Sequence, residues 1–159
     1  MKRDSQGLQV LLLPVSCDPQ AWDLLLPAAA VAELVRAQPL EAPEPEAPQW
    51  LCGYLAWRGL RLPLVQPFAV SGPTGARVGQ AYAAVCFAPA GEPAAPFFAI
   101  GSPGMPRLER VTPEILSAGT LNQAQAEGPF IQVALHLLGR PAGLVDLDAV
   151  ERAVLAITG

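Results

Sequence analysis

Short apolar segments, separated by prolines, glycines and charged residues, run along the whole of this chain. The alternation is most regular over Phe130–Leu138, where nearly every second residue is a large apolar one. Successive side chains of a β-strand point to opposite faces, so this pattern predicts a strand with one buried face. The apolar face carries Ile131, Val133, Leu135 and Leu137, and the other face carries Gln132, Ala134 and His136.

Other segments predict further strands and one short helix. Apolar runs bounded by turn residues are typical of strands, and they occur at Leu8–Val15, Trp22–Leu26, Ala81–Ala88 and Phe97–Ile100. Ala28–Arg36 is rich in helix formers and carries Glu33 and Arg36 at a helical spacing, so we expect a short helix there. The 18 prolines and 14 glycines are spread through all 159 residues. Such punctuation favours an all-β barrel or sandwich over a helical bundle.

The segment Trp50–Val65 is the most distinctive part of the sequence. Two apolar runs are joined there by Arg58 and Gly59, and glycine supplies the backbone freedom that a sharp reversal needs. We expect Trp50–Ala56 to begin as a helical turn and to end as a strand. Because burying an unpaired charge is expensive, Arg58 is predicted to lie at the surface, where it is either solvated or bound to a partner.

The C-terminal segment predicts a hairpin followed by a helix. Gly139–Gly143 is rich in turn residues, and Leu144 and Val145 would begin the return strand. Asp148 and Glu151 have the spacing of a capping box, in which two side chains satisfy free N–H groups at the start of a helix. The helix that follows presents one apolar side to the barrel. That side is made of Leu147, Val150, Val154 and Ile157.

Residues 39–48 form a segment of a different kind, with four prolines and three glutamates. Proline cannot donate to a strand ladder, and like charges repel one another. We therefore predict an exposed, extended connector that contains no packed element. The length of the whole chain suits one domain, or two small ones that share an interface.

Charge and hydropathy exclude several classes of function. The net charge is −4, Lys2 is the one lysine, and the nine arginines are scattered, which argues against a nucleic-acid surface. No apolar run approaches the roughly 20 residues that cross a bilayer, and we interpret the N-terminal segment as a first strand rather than a signal peptide. Cys17, Cys52 and Cys86 are odd in number and far apart. Reduced thiols in a cytoplasmic protein are the simplest account.

Candidate catalytic groups are few. His136 is the one histidine in the sequence, and it could pair in space with Cys52 or Cys86 to make a small cysteine hydrolase. All three cysteines lie in or beside apolar segments, which raises the pKa of a thiol and makes it inert. Residues 71–76 resemble a phosphate-binding loop but lack its Gly-Lys-Ser/Thr, and no metal-ligand spacing is present. The sequence therefore favours a non-enzyme with no metal or cofactor, and the cysteine hydrolase is the alternative.

Aromatic residues beside the arginine point instead to protein binding. Trp50 and Trp57 flank the apolar run before Arg58, and tryptophan and arginine dominate the hot spots of protein–protein interfaces. We expect at least one of the two tryptophans to lie in the core. A binding module of the oligonucleotide-binding-barrel type is disfavoured by the net charge and the scattered arginines.

The order of these segments resembles the CheW family, the coupling proteins of bacterial chemosensory arrays. Leu24–Glu33 is similar to the family's proline-containing segment that ends in glutamate, and Phe130–Val154 is similar to its closing strand, turn, strand and helix. The Pro-rich connector at residues 39–48 follows the first of these segments, as it does in the family. The stretch around the Arg-Gly turn is matched by Trp50, Gly53, Arg58, Gly59 and Pro63–Val65. Gln66 stands where the family usually has aspartate, and the chain is similar to the accessory CheW-like proteins of type IV pilus chemosensory systems.

The resemblance implies that residues 1–159 form a single mainly-β domain with the CheW fold, in which two SH3-like five-stranded barrels intertwine and carry short helices. It implies a non-catalytic cytoplasmic adaptor that couples chemoreceptors to a CheA-type histidine kinase in chemotaxis or twitching motility. The implied partners are the regulatory domain of that kinase and the cytoplasmic tip of a chemoreceptor, without insertion into the membrane. The residues matched to the family's binding segment are Arg58, Gly59, Trp50 and Pro63, to which we add Trp57 as the aromatic neighbour of Arg58.

Overall fold

The computed structural model describes residues 7–15, 22–67, 80–112, 115–118, 130–137 and 140–158. Cys17, Gly139 and residues 71–76 lie outside these ranges. The described part contains strands β1 to β12, a short 3₁₀ helix (Ala28–Ala30) and one α-helix, α1 (Leu147–Thr158). The strands are β1 (Leu8–Val15), β2 (Trp22–Pro27), β3 (Val31–Arg36), β4 (Leu40–Glu41), β5 (Leu51–Trp57), β6 (Leu60–Val65), β7 (Tyr82–Phe87), β8 (Phe97–Ser102), β9 (Arg107–Val111), β10 (Leu116–Ala118), β11 (Ile131–Leu137) and β12 (Arg140–Val145).

Two mixed sheets of six strands are built from these elements. The first has the order β10-β11-β12-β2-β1-β9, and the second has the order β3-β7-β8-β6-β5-β4. The pairs β12–β2 and β6–β8 are parallel, and the other neighbours are antiparallel. Each sheet includes one very short edge strand, β10 or β4. The chain starts in the first sheet, builds the second and then returns, so the two units intertwine and the predicted mainly-β fold is confirmed.

Three apolar clusters hold the sheets together. The main core joins both sheets and α1, and Trp22, Phe98 and Val150 are fully buried in it. Alternation along each strand sends the remaining apolar side chains to the opposite face, where each sheet curls around a cluster of its own. Around the first sheet this cluster contains Val10, Leu12, Leu25, Val111 and Leu137, and around the second it contains Ala37, Cys52, Leu55, Leu64, Ala83 and Ala99. We call these two units the first and the second barrel.

The prediction of a helix over Ala28–Arg36 is wrong. Only Ala28–Ala30 form a 3₁₀ turn, and Val31–Arg36 form β3, which pairs antiparallel with β7. Burial alternates along β3 with a period of two, so pairing and packing in the sheet outweigh the helix propensity of the segment. The helical start expected at Trp50 is also wrong, because Trp50 lies in a turn and β5 begins at Leu51.

The C-terminal hairpin also differs from its prediction. β12 begins at Arg140, so most residues predicted as a turn belong to the strand. The ladder between β11 and β12 shifts register between Ile131 and Val133. As a result Ile131 packs against the main core, whereas Leu135 and Leu137 pack in the first barrel. The apolar residues of β11 therefore do not share one face.

The predicted capping box is wrong as well, although α1 forms where expected. The residue that caps α1 is Asp146, whose Oδ1 accepts a hydrogen bond of 3.1 Å from the Ala149 N–H. The Glu151 carboxylate instead accepts bonds of 3.0–3.2 Å from the Ala90 and Gly91 N–H groups, which ties α1 to the loop before β8. Within the described ranges, no helix is long and apolar enough to span a bilayer.

Residues 39–48 are largely exposed but do join the second sheet. Leu40 and Glu41 form β4 and pair with Leu55 and Tyr54 of β5. Tyr54 also donates a hydrogen bond of 3.3 Å to Glu44. The expectation of a connector with no packed element is wrong at β4, because the two paired residues lie between prolines and keep their own N–H groups.

Candidate protein-binding site

The reversal between β5 and β6 is a two-residue turn made of Arg58 and Gly59, as predicted. Their φ angles are 48° and 80°, and two positive φ values at the centre of a two-residue hairpin match the right-handed twist of the flanking strands. Trp57 and Leu60 face each other as the last pair of the ladder. The turn carries the Arg58 side chain outward, where it is 70 % exposed.

Glu33 of β3 fixes the position of this turn. Its Oε1 accepts a hydrogen bond of 2.9 Å from Trp57 Nε1 and another of 3.0 Å from an Arg58 guanidinium N–H. The guanidinium carbon of Arg58 also lies 5.0 Å from the centre of the Trp57 ring, within the range of a cation–π contact. Glu33 thus links an edge strand of the second sheet to Trp57 and Arg58, which lie 24 and 25 residues further along the chain.

An aromatic row continues from Trp57. Its ring lies 5.0 Å from that of Phe97, which in turn lies 5.6 Å from that of Phe87. Phe87 is half exposed. The interior of the second barrel includes Val35 of β3, Leu55 of β5 and Ala99 of β8. Two residues away along the same three strands lie Glu33, Trp57 and Phe97, respectively. The row therefore lies at one end of that barrel, and we call Glu33, Trp57, Arg58, Phe87 and Phe97 the barrel-mouth surface.

The electrostatics of Glu33 follow from these contacts. The hydrogen bond from the Trp57 indole lowers the pKa of the Glu33 carboxyl below its usual range, and the charge and hydrogen bond of Arg58 add to this effect against a partial desolvation. Because the pKa is lowered on folding, this contact contributes to stability at neutral pH. The contribution is lost as the pH falls through the lowered pKa.

A Trp57→Phe variant tests this assignment. The change removes the indole N–H and keeps an aromatic ring, so we expect the pKa of Glu33 to rise toward its ordinary value when it is followed by carbon-detected NMR titration. Tyr54→Phe is the control, because it removes a different hydrogen bond, to Glu44. An unchanged Glu33 titration in Trp57→Phe would contradict the role given to the indole.

The five sequence-predicted binding residues do not all lie together. Trp57, Arg58 and Gly59 meet at the turn. Trp50 lies elsewhere: it packs against the main core, with its ring 5.5 Å from that of Phe130 in an edge-to-face arrangement. Pro63 is buried within β6, opposite Tyr54 of β5.

Sequence reasoning missed the other members of the surface. Glu33 was paired with Arg36 on a helix that does not form, whereas the structure pairs it with Arg58. Its sequence signal was weak: a single acid within an apolar segment. β7 ends at Phe87, and β8 begins at Phe97 after a loop. Because the two strands form a hairpin, these two rings face each other.

The structure gives no support to the cysteine hydrolase. Cys86 is fully buried in the main core, and burial raises the pKa of its thiol to about 12, so the nucleophilic thiolate is absent at neutral pH. Cys52 packs in the second barrel, and its thiol donates to Gln66 Oε1 at 4.0 Å. His136 belongs to β11 of the other sheet, opposite Pro141. No group of three or more histidine, cysteine or acidic side chains in the described ranges could hold a metal ion.

Comparisons with known proteins agree with the architecture. No family model and no curated protein matches the sequence. Among solved structures, the chain is similar to the crystal structure of the scaffolding protein TtCheW from Thermoanaerobacter tengcongensis. The TM-score is 0.59 at 10 % sequence identity, and the match covers 87 % of this chain and 84 % of that one. The similarity shows that the chain has the CheW fold, as the sequence resemblance implied.

Proposed function

We propose that this protein is a non-catalytic, cytoplasmic adaptor that couples chemoreceptors to a CheA-type histidine kinase. Its partners are the regulatory domain of the kinase and the cytoplasmic tip of a receptor. The observation that carries the proposal is the fold, which this chain has in common with a scaffolding protein over most of both chains. The sequence resemblance around Trp50–Val65 and the absence of support for a hydrolase point in the same direction.

We further propose the barrel-mouth surface as one of its contact sites. Arg58 has five N–H donors, and Glu33 accepts one of them, so the guanidinium can also bind a carboxylate of a partner. Trp57 and Glu33 hold it in place, which reduces the entropy lost on binding. Beside the charge, Phe87 offers an exposed aromatic side chain. A fixed arginine next to aromatic anchors is the composition typical of a binding hot spot.

Substitution of Arg58 by alanine tests this site. We expect affinity for the kinase regulatory domain or the receptor tip to fall about thirtyfold, which corresponds to the roughly 2 kcal/mol of one hot-spot residue. The melting temperature should change little, because exposed ion pairs such as that of Arg58 with Glu33 contribute little to stability. Isothermal titration calorimetry with the full chain and each purified partner measures the first quantity, and thermal unfolding measures the second.

Arg61→Ala is the matched control. Arg61 lies three residues further along the same hairpin and makes an equally exposed pair with Glu41, at 2.6 Å, but it lies outside the barrel-mouth surface. The Arg61→Ala variant should leave the affinities for the kinase regulatory domain and for the receptor tip unchanged. Loss of affinity in both variants, or in neither, would contradict the proposed contact site. Failure of the unmodified chain to bind any CheA-type kinase or receptor from its own genome would overturn the adaptor function.

The pathway is either chemotaxis or twitching motility, and we favour the pilus-linked system on the sequence resemblance. Deletion of the gene should then abolish directed twitching while flagellar swimming toward attractants is retained. The reverse result would assign the adaptor to chemotaxis.

A further inference from the structure

A buried carboxylate brings two arginines together in the first sheet. Asp23 of β2 is only 2 % exposed, and its Oδ2 lies 2.8 Å from Arg140 Nε and 3.6 Å from a guanidinium nitrogen of Arg107. Arg140 begins β12 and Arg107 begins β9, so the two arginines come from strands on opposite sides of β2. Because both contact the same oxygen atom, their guanidinium groups lie close enough for one further acceptor to reach both.

The two arginines lie at one end of the first barrel. Residues that face each other in a strand ladder direct their side chains to the same side of the sheet. Arg107 faces Leu12 of β1, and Arg140 faces Leu137 of β11. Both leucines pack in the apolar cluster of the first barrel. The arginines therefore extend the interior side of this barrel to the ends of the strands, where their side chains are 45 % and 44 % exposed.

The charges of this cluster do not balance. Asp23 supplies one negative charge against two positive ones, and within the described ranges it is the one carboxylate that either arginine contacts. Arg140 donates two hydrogen bonds to Asp23, whereas the contact of Arg107 is too long for a hydrogen bond. A guanidinium has five N–H donors. Most of the donors of this pair are therefore left for an acceptor from outside the molecule.

We propose that Arg107 and Arg140 together bind a carboxylate side chain of a partner protein. The planar fork of a guanidinium matches the geometry of a carboxylate, and one carboxylate brings the net charge of the cluster to zero. A phosphate dianion would make the net charge negative and would be repelled by Asp23. Asp23 also holds the guanidinium groups together before the partner arrives, which reduces the entropy lost on binding.

Met105 indicates that a protein, and not a small anion, supplies the carboxylate. It precedes Arg107 by two residues and is 62 % exposed, more than any other large hydrophobic side chain in the described ranges. Methionine and arginine are both enriched in protein–protein interfaces relative to the rest of the surface. We therefore expect the acidic residue of the partner to have apolar neighbours, as in the tripeptide acetyl-Leu-Glu-Leu-amide.

NMR titration of the unmodified chain with this tripeptide tests the site. The Nε–H signals of Arg107 and Arg140 should shift and saturate with a dissociation constant of about 1–10 mM, because each guanidinium gains a charge-assisted hydrogen bond. Acetyl-Leu-Gln-Leu-amide has nearly the same shape without the charge and should leave both signals unchanged. Absence of a shift up to about 50 mM of the glutamate peptide, or equal shifts with both peptides, would overturn the proposal.

Two small anions, titrated at the same ionic strength because salt screens exposed charges, separate the possible sources of the charge. Acetate has the same carboxylate without apolar neighbours, so we expect it to bind at least threefold more weakly than the glutamate peptide. Inorganic phosphate should also bind more weakly than the peptide. Tighter binding of phosphate would overturn the choice of a carboxylate, and acetate that binds as tightly as the peptide would overturn the choice of a protein partner.

An Arg107→Gln variant gives a second test, with the Arg140 Nε–H signal as the readout. Asp23 keeps its two hydrogen bonds from Arg140, so the fold should be retained, and we expect the dissociation constant of the glutamate peptide to rise at least threefold. Arg110→Gln is the matched control. It makes the same change of charge in the same exposed part of β9, but residue 110 lies at an odd spacing from residue 107 and so on the other face of the strand.

The control should leave the affinity for the glutamate peptide unchanged. Equal weakening in Arg107→Gln and Arg110→Gln would show that net charge alone attracts the peptide, and it would overturn the proposal. The site belongs to the first sheet, whereas the barrel-mouth surface belongs to the second, and neither the peptide nor the anions require the kinase or the receptor. This inference and the adaptor function can therefore fail separately.

Discussion

Replacing Gly53 by alanine should lower the free energy of unfolding by about 3 kcal/mol or more. Gly53 has a φ of 153°, a conformation that side-chain-bearing residues rarely adopt. A Cβ atom at this position would also clash with the Glu41 carbonyl oxygen and lie 3.0 Å from Leu40 Cγ. The carbonyl belongs to Glu41 of β4, which pairs with the neighbouring Tyr54 of β5, so it cannot move away without disturbing that pair.

Gly59→Ala is the control that separates the two causes. Gly59 also has a positive φ, 80°, but nothing lies within 4 Å of a Cβ built on it. The Gly59→Ala variant should therefore lose only about 1 kcal/mol of stability, which is the cost of placing alanine in the left-handed backbone conformation. Urea denaturation of both variants measures the difference. Equal losses would show that backbone conformation alone, and not the approach of β4 to β5, determines the role of Gly53.

The parts of the fold that the sequence predicted depend on local pattern. The Arg-Gly reversal, the strands on either side of it and the C-terminal helix each follow from a few neighbouring residues. β3 shows where such reasoning fails. Val31–Arg36 contains β-branched residues and good helix formers at the same time, and its pairing with β7, about 50 residues away, decides between strand and helix.

The candidate site could be predicted only in part for the same reason. Arg58 and Trp57 are neighbours in the chain, so their association was visible in the sequence. Glu33 meets them only because β3 and β5 belong to one curled sheet, and no local spacing encodes that meeting. Trp50 shows the opposite case: a tryptophan beside a charged turn has the composition of a binding anchor, but it packs against Phe130 in the core.

Helix capping gives a third example, with a consequence for how the barrels are joined. Asp148 and Glu151 have the spacing of a capping box, but the Glu151 carboxylate binds the Ala90 and Gly91 N–H groups instead. Two backbone donors in a tight loop, one of them a glycine with a φ of 67°, form a better-placed anion site than the helix start. The loop is 60 residues away in sequence, so the local motif could not reveal it.

The second large effect is expected at the buried carboxylate of the first sheet. Asp23 of β2 is only 2 % exposed, and its Oδ2 accepts a hydrogen bond of 2.8 Å from Arg140 Nε of β12, while Arg107 of β9 lies 3.6 Å away. These contacts join β2 to the neighbouring strand β12 and to β9, two strands away on its other side. Removal of Arg140 would take away two hydrogen bonds to the buried Asp23 carboxylate and leave it with the longer contact to Arg107, and breaking a buried ion pair is strongly destabilising.

Arg140→Ala should therefore lower the free energy of unfolding by about 3 kcal/mol, measured by urea denaturation at neutral pH. Arg61→Ala is again the matched control, because Arg61 makes a two-point contact with Glu41, with N–O distances of 2.9 and 2.6 Å, in which both side chains are more than half exposed. The loss of this exposed pair should cost much less stability than the loss of Arg140. The two pairs have the same chemistry and differ in the burial of the carboxylate, so similar losses in both variants would show that burial of Asp23 does not determine the strength of its contact with Arg140.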